Sequence, residues 1–258
     1  MDLGLTGRAA LVTGASKGIG YAAAESLAQA GCNIHLAART ATDLQAAQAR
    51  LKDKYGVDVE IHPTDLSDGD AARALVDRCK NVEILVNNAG AIPAGDIHQV
   101  TEDRWRDAWN LKVFGYQNMC RAMLANMRER GSGVIVNVIG AAGEAHTPGY
   151  IAGTAGNASI MAMTRALGAT SRSYGVRVVG INPGLIATDR MTTLLRTKAE
   201  KELGDADRWE ELIDKIYPPG NPEHIGDMVA FLASDLSANT TGTIITIDGG
   251  SSARGASV

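Results

Sequence analysis

No run of about 18 apolar residues occurs anywhere in the 258-residue sequence, and the N-terminal MDLGLTGRAALVTG lacks a basic segment followed by an apolar stretch. Neither membrane insertion nor secretion is expected from such a pattern. Charge of one sign is also missing: 25 Lys+Arg stand against 29 Asp+Glu, for a net charge of −4. Acids and bases are mixed along the chain, so no field favours a phosphate backbone and nucleic acid is excluded as a partner. Cysteine is scarce. Cys32, Cys79 and Cys120 are widely spaced and form no CxxC, which predicts buried free thiols in a reducing compartment, the cytoplasm. The histidines His35, His62, His98 and His224 have no ligand-like partner at metal spacing, and no metal site is expected. Internal repeats and low-complexity tracts are absent as well. A domain of roughly 250 residues buries about three quarters of its unfolded surface, so neither metal nor disulfide is needed to hold it together.

What is present is alternation. Short Val- and Ile-rich runs at Arg8 to Thr13, Asn33 to Ala38, Val59 to His62, Ile84 to Asn87, Gly133 to Val138, Val176 to Ile181 and Thr243 to Ile247 read as seven strands. Between them lie helix candidates at Ile19 to Ala30, Ala41 to Tyr55, Gly69 to Cys79, Glu102 to Arg130, Gly149 to Tyr174 and Pro222 to Ser234. Gly31 marks the end of the first, and Asn221 followed by Pro222 marks the start of the last. Right-handed crossovers then predict an α/β fold of one domain, a Rossmann-type doubly wound parallel sheet. The rhythm breaks over Ala187 to Gly220, with one helical patch around Thr197 to Lys215. A segment that long at a sheet's carboxyl edge suggests a substrate lid, with an apolar wall from Met191, Leu194, Leu195, Trp209, Ile213 and Tyr217.

Thr13-Gly14-Ala15-Ser16-Lys17-Gly18-Ile19-Gly20 follows the first strand and opens the first helix. A pyrophosphate can lie there against free backbone N–H groups, where glycines remove the Cβ atoms that would block its approach. A tight βα turn kept glycine-rich for packing would read the same way. At the end of the second strand, Ala37-Ala38-Arg39 contains no acid to hold the 2′-hydroxyl of NAD. Arg39 and Lys17 are cations suited to a 2′-phosphate, so NADP(H) is preferred over NAD(H), unless Arg39 is only a solvated charge.

Together with Asp65-Leu66, Asn87-Asn88-Ala89-Gly90, Pro183-Gly184 with Thr188, and Asp248-Gly249-Gly250, this loop resembles the short-chain dehydrogenase/reductase family, particularly members like 3-oxoacyl-carrier-protein reductase. The resemblance spans essentially the whole chain. It implies that Gly14, Ser16, Lys17, Gly18, Ile19 and Gly20 hold the pyrophosphate and adenosine ribose, and that Asp65 and Leu66 border the adenine. Asn88, Ala89 and Gly90 would line the ribose, while Pro183, Gly184, Ile186 and Thr188 would meet the nicotinamide. A small-molecule substrate and a homo-oligomer, tetramer or dimer, are implied too. Met119, Cys120, Met123 and Met127 could form part of its interface or belong to the core.

The family's catalytic pattern fails here. Such enzymes use a Ser after the fifth strand, a Tyr as acid/base, a Lys four residues later and an Asn on the preceding helix. Asn110 is present, but the Ser, Tyr and Lys slots hold Gly140, Gly153 and Asn157. No shift of register restores them, because no lysine lies between Lys112 and Lys198 and no serine between Ser132 and Ser159. Asn157 could still bond the ribose hydroxyls. Tyr150 or His146, near the vacant slots, could supply the proton, or Tyr150 could fill the volume left by the glycines and His146 lie in solvent. Three functions follow: an NADP(H)-dependent oxidoreductase with a rebuilt proton-transfer site; a catalytically silent NADP(H)-binding sensor or partner subunit; and, less compatible with the glycine loop, non-redox chemistry in the same pocket.

Overall fold

The computed structural model describes residues 2–254. Seven strands form, β1 (Ala9–Thr13), β2 (Asn33–Ala38), β3 (Val59–Pro63), β4 (Ile84–Asn87), β5 (Gly133–Val138), β6 (Val176–Pro183) and β7 (Ile244–Ile247). They pair in parallel in the order β3-β2-β1-β4-β5-β6-β7, the Rossmann-type sheet the alternation predicts. β4, β5 and β6 are buried at every residue, because helices cover both faces of a parallel sheet.

The helices are α1 (Gly18–Gln29), α2 (Ala41–Tyr55), α3 (Gly69–Arg78), α4 (Glu102–Trp109), α5 (Gly115–Arg130), α6 (Ala142–Ala145), α7 (Ile151–Ser171), α8 (Asp189–Leu203) and α9 (Pro222–Ala233). One core layer packs α1, α2 and α9 onto the sheet through residues such as Leu27, Leu44, Ile225 and Val229. The other packs α3 and α5 through Leu75, Val76, Met119 and Met123. Met119, Cys120, Met123 and Met127 are all buried in this second layer, so these four side chains are core and not an oligomer face. Gly31 takes a left-handed φ of +86° after α1. At the start of α9 the His224 ring accepts the Asn221 backbone N–H at 3.2 Å.

Two elements depart from the pattern read in the sequence. The segment expected as one helix from Glu102 to Arg130 is broken by a π turn at Asn110–Phe114. Apolar periodicity does not register one extra residue in a turn, and such bulges gather at functional sites. In the predicted lid, the helix starts at Asp189, earlier than the Thr197 patch, because the Thr188 hydroxyl accepts the Met191 backbone N–H at 3.3 Å. It stops before Gly204, whose φ is +72°, and a 3₁₀ segment follows at Ala206–Leu212. Thr188-Asp189 is an N-terminal helix signal that the motif reading absorbed as cofactor chemistry. Among the described residues no helix is long and apolar enough to cross a membrane, and all three cysteines are buried and free.

Candidate active site

The strand order reverses between β1 and β4, and a ligand crevice forms outside the carboxyl ends at such a switch point. Here the Thr13 side chain joins the two strands. Its oxygen receives the backbone N–H groups of Asn88 at 2.9 Å and Ala89 at 3.1 Å. The Asn88 amide donates back to the carbonyls of Thr13 and Gly14 at 3.1 and 3.2 Å. Beside this brace, Gly14 and Gly18 adopt φ of +63° and +57°. A Cβ on Gly14 would stand 3.0 Å from the Ala89 Cα, so the turn requires glycine. Gly20 lies underneath, where a Cβ would overlap the Gly14 carbonyl and the Asn88 amide; its role is helix–strand packing. No side chain caps α1, which begins after Lys17, so its first N–H groups are left for a ligand.

These elements open onto a cleft of about 1160 Å³. Gly14, Ser16, Lys17, Gly18 and Ile19 line it, as do Arg39, Leu66, Asn88, Ala89 and Gly90, and Asn157, Pro183, Gly184, Ile186 and Thr188. The fold therefore gathers nearly all the residues singled out by the motifs. Asp65 is the exception on the adenine side. It is exposed, and its carboxylate accepts from the Ser67 N–H and hydroxyl at 3.0 and 2.8 Å, which hold it below the usual carboxylate range. Thr64 and Leu66 face the cleft on either side of it. Asp248 closes the C-terminal turn by accepting from the backbone of Gly250 and Ser252.

The opposite wall is built differently. Gly140 has φ of +142°, and a Cβ there would come within 2.8 Å of the Asn157 amide nitrogen. That amide thus occupies the space beside the Ser slot. Asn157 is buried and its Oδ1 has no hydrogen-bond partner within the chain, an acceptor left facing a polar ligand group. Over Gly153 lies the ring of Tyr150, so close that any Cβ would overlap it. Tyr150 is held by a short parallel bridge to Gly95, with the Gly95 N–H on the Gly149 carbonyl at 2.8 Å and the Ile151 N–H on the Gly95 carbonyl at 3.1 Å. The hydroxyl accepts a hydrogen bond from the Arg190 guanidinium at 3.2 Å, and Arg190 is anchored on the Ile92 carbonyl at 2.8 Å. Tyr150, one turn before Gly153, therefore fills the space over the position where the resemblance expects the catalytic Tyr.

The other two catalytic candidates do not reach it. His146 is exposed in a left-handed turn, φ +49°, outside the cleft lining, so loop geometry leaves it in solvent. Asn110 is exposed at the start of the π turn and also lies outside the lining. That turn delivers Lys112 to the cleft instead. Its stem packs on Gly90 and its ammonium donates to the Ile139 carbonyl at 2.6 Å. Burial, and then the positive Arg190, lower its pKa to about 7.

The family model described as short chain dehydrogenase matches residues 8–199. The chain belongs to the short chain dehydrogenase family. It is 31% identical over 250 residues to 3-oxoacyl-[acyl-carrier-protein] reductase of Chlamydia trachomatis, covering 95% of this chain and 98% of that one. The Vibrio harveyi 3-oxoacyl-[acyl-carrier-protein] reductase is 32% identical, covering 96% and 98%. L-sorbose reductase from Gluconobacter frateurii, solved with NADPH and L-sorbose, superposes with a TM-score of 0.89 at 28% identity, covering 96% of this chain and 98% of that one. NAD⁺-bound xylitol dehydrogenase superposes at 0.88 with 25% identity, covering 95% and 99%.

Within this short chain dehydrogenase, motif reasoning missed Arg190 and Lys112. Arg190 sits past the lid boundary, where nothing marks one cation among several. Lys112 carried a usable signal, since it is the last lysine before a long lysine-free stretch. Of the side chains expected in the lid's apolar wall, Met191 and Leu194 line the cleft, whereas Leu195, Trp209, Ile213 and Tyr217 do not. Away from the cleft, the fold also brings His35 to His62 and Cys79, contrary to the expectation that these histidines lack ligand-like partners; sequence spacing cannot register contacts across strands and a helix.

Proposed function

We propose that this protein is an NADP(H)-dependent oxidoreductase acting on a carbonyl or alcohol substrate, with Tyr150 as the proton donor in place of the absent Ser-Tyr-Lys set. The observation that carries the reading is the Tyr150 ring seated over Gly153 with the Arg190 guanidinium on its hydroxyl.

The residues present fit a dinucleotide. The glycine turn leaves no Cβ where a pyrophosphate would lie, the α1 N-terminus is uncapped, and the orphaned Asn157 oxygen offers an acceptor to a ribose hydroxyl. Bound NADPH would supply hydride to the carbonyl carbon. Tyr150 would give its proton to the carbonyl oxygen, and Arg190 would offset the negative charge left on the phenol oxygen, an arrangement worth most where water is excluded. Lys112, whose depressed pKa lets it exchange a proton near neutrality, lines the same cleft. Met191 and Leu194 on α8 supply an apolar wall from the lid. The preference for NADP(H) rests on Arg39 and Lys17. Asp43 lines the same end of the cleft and is a carboxylate opposing that preference. A homo-oligomer is part of the proposal, supported by a groove between α5 and α7 lined by Gln117, Arg121, Leu124, Met163 and Leu167.

Calorimetric titration with NADPH and NADH, followed by a carbonyl panel read at the NADPH absorbance, tests this reading. Tight NADPH binding with turnover that disappears in Tyr150→Phe at unchanged NADPH affinity is the expected result. Full turnover in Tyr150→Phe would remove Tyr150 from the mechanism. NADPH binding with no turnover on any substrate would favour the silent binder instead.

A further inference from the structure

β2 and β3 pair with His35 opposite Glu60 and Ala37 opposite His62. Side chains two apart on a strand share a face, so His35, Glu60 and His62 project together onto the face that α3 covers. Cys79, the residue that ends α3, reaches the same point from above. Nδ1 of His35 lies 3.0 Å from Nε2 of His62, and the Cys79 Sγ lies 3.9 and 3.7 Å from these two nitrogens. A carboxylate oxygen of Glu60 lies on the imidazole side of the cluster, 3.6 Å from His35 and 4.0 Å from His62, outside the three ligand atoms that converge. Cys79 and His62 are buried, and Glu60 is largely exposed.

Two nitrogens on one tetrahedral zinc stand ~3.3 Å apart, and a nitrogen and a sulfur ~3.6 Å. The separations in this cluster lie within a few tenths of an ångström of those values, the imidazole pair too close and the sulfur slightly too far. That closeness is a hydrogen bond between the rings, one donating and the other accepting, and it opens when both lone pairs turn to a cation. Two imidazoles and a thiolate form a donor set of borderline softness suited to zinc, with a carboxylate close by to offset its charge. We propose that His35, His62 and Cys79 form a site for a zinc-class divalent cation, separate from the dinucleotide cleft, with the fourth tetrahedral position open to solvent and the Glu60 carboxylate beside the imidazoles.

Binding forms one sulfur–metal and two nitrogen–metal bonds and releases the thiol proton to solvent; the ring that donated its inner N–H exchanges that proton through solvent onto its outer nitrogen, so both rings ligate as neutral imidazoles. Thiolate and carboxylate balance the dipositive ion. Arg78, beside His62, is the one opposing charge identified among the described residues. The site would pin the edge strand β3 to β2 and to the end of α3. His62 precedes the cleft-lining Thr64 by two positions, so this bracing ends at the adenine-side loop.

Reduced, tag-free full-length protein stripped with a chelator and titrated with Co²⁺ tests the site. One equivalent should produce tetrahedral visible bands with a thiolate-to-cobalt charge-transfer band, bleached by one equivalent of Zn²⁺. Zn²⁺ should also raise Tm. Cys32 and Cys120 are buried elsewhere, so Cys79→Ser should abolish the charge-transfer band. Loss of an imidazole in His35→Gln should weaken cobalt binding roughly a hundredfold. Should Cys79→Ser fail to fold, His35→Gln alone decides. A missing charge-transfer band in the wild type, or His35→Gln binding as tightly as wild type, overturns the proposal. Neither readout involves NADPH or turnover, so the site stands or falls independently of the proposed reaction.

Discussion

The two walls of the cleft obey different rules. On the β1–β4 side, backbone shape does the work: Gly14 and Gly18 are positioned by positive φ, and Thr13 and Asn88 are tied to main chain. On the β5–α7 side the work falls to side chains that come from elsewhere in the sequence, Tyr150 before α7, Lys112 from the π turn and Arg190 from α8. A backbone-defined site must keep its motif, because the turn cannot form without glycine. A side-chain-defined site can be rebuilt from any segment that reaches the same volume.

Substitutions on the two walls should therefore separate binding from turnover, and this contrast carries the largest effects. Arg190→Met removes the donor to Tyr150 and is expected to lower kcat by roughly 10²-fold, with Arg190→Lys partly restoring it. NADPH affinity should change less than about twofold, since Arg190 touches only Ile92 and Tyr150 among its hydrogen-bond partners. Gly14→Val should do the reverse. Its strained φ and the contact with Ala89 cost about 1–3 kcal/mol, enough to weaken NADPH binding by about 5- to 150-fold in a calorimetric titration. If Arg190→Met lowered binding as much as Gly14→Val, the two walls would not be independent.

The next effect concerns the substitution of one Tyr position for another. Because the Tyr150 ring covers Gly153, Gly153→Ala should destabilise the fold by about 1–3 kcal/mol through overpacking. In a Tyr150→Gly background the clash is gone, and Ala should then gain up to about 1 kcal/mol over Gly in the first turn of α7. Denaturant melts of the four proteins in this cycle measure the coupling. An unchanged cost in both backgrounds would mean that the ring does not sit where the geometry places it.

That difference between the walls also explains what the sequence reveals. The parallel sheet was legible because β4, β5 and β6 are buried along their whole lengths and read as Val- and Ile-rich runs rather than alternating ones. The glycine turn was legible because its spacing is local. That Gly140, Gly153 and Asn157 stand where the resemblance expects Ser, Tyr and Lys could be read by simple counting, and so could the nearness of Tyr150 to them. Arg190 could not be read, since its partner Tyr150 is 40 residues away and only the packing of α8 brings them together. The π turn and the His35–His62–Cys79 cluster were invisible for the same reason: each depends on register and packing, which one-dimensional spacing does not encode.

A smaller effect tests the cofactor wall. Arg39 is exposed, so its contribution is a screened, charge-assisted contact. Arg39→Ala should weaken NADPH by about tenfold, about 1.4 kcal/mol, and leave NADH unchanged. Asp43→Asn, at the same end of the cleft, should strengthen NADPH by a smaller factor. Equal losses for both dinucleotides in Arg39→Ala would show that it does not read the 2′-phosphate.

The last effect is a slope with pH rather than a single change. Lys112 has a folded pKa lowered to about 7 by burial and by Arg190, whereas an unfolded lysine titrates near ~10.4. Between these values the unfolded chain binds the extra proton, so this residue makes stability rise with pH from about 7 to about 10 and leaves it flat below. Lys112→Met removes the titration while keeping most of the apolar stem against Gly90. The difference in Tm between variant and wild type should therefore favour the variant most near pH 6 and shrink steadily toward pH 10, where wild-type Lys112 is already neutral and still bonded to the Ile139 carbonyl. A pH-independent difference would place the ammonium in solvent and take Lys112 out of the rebuilt wall.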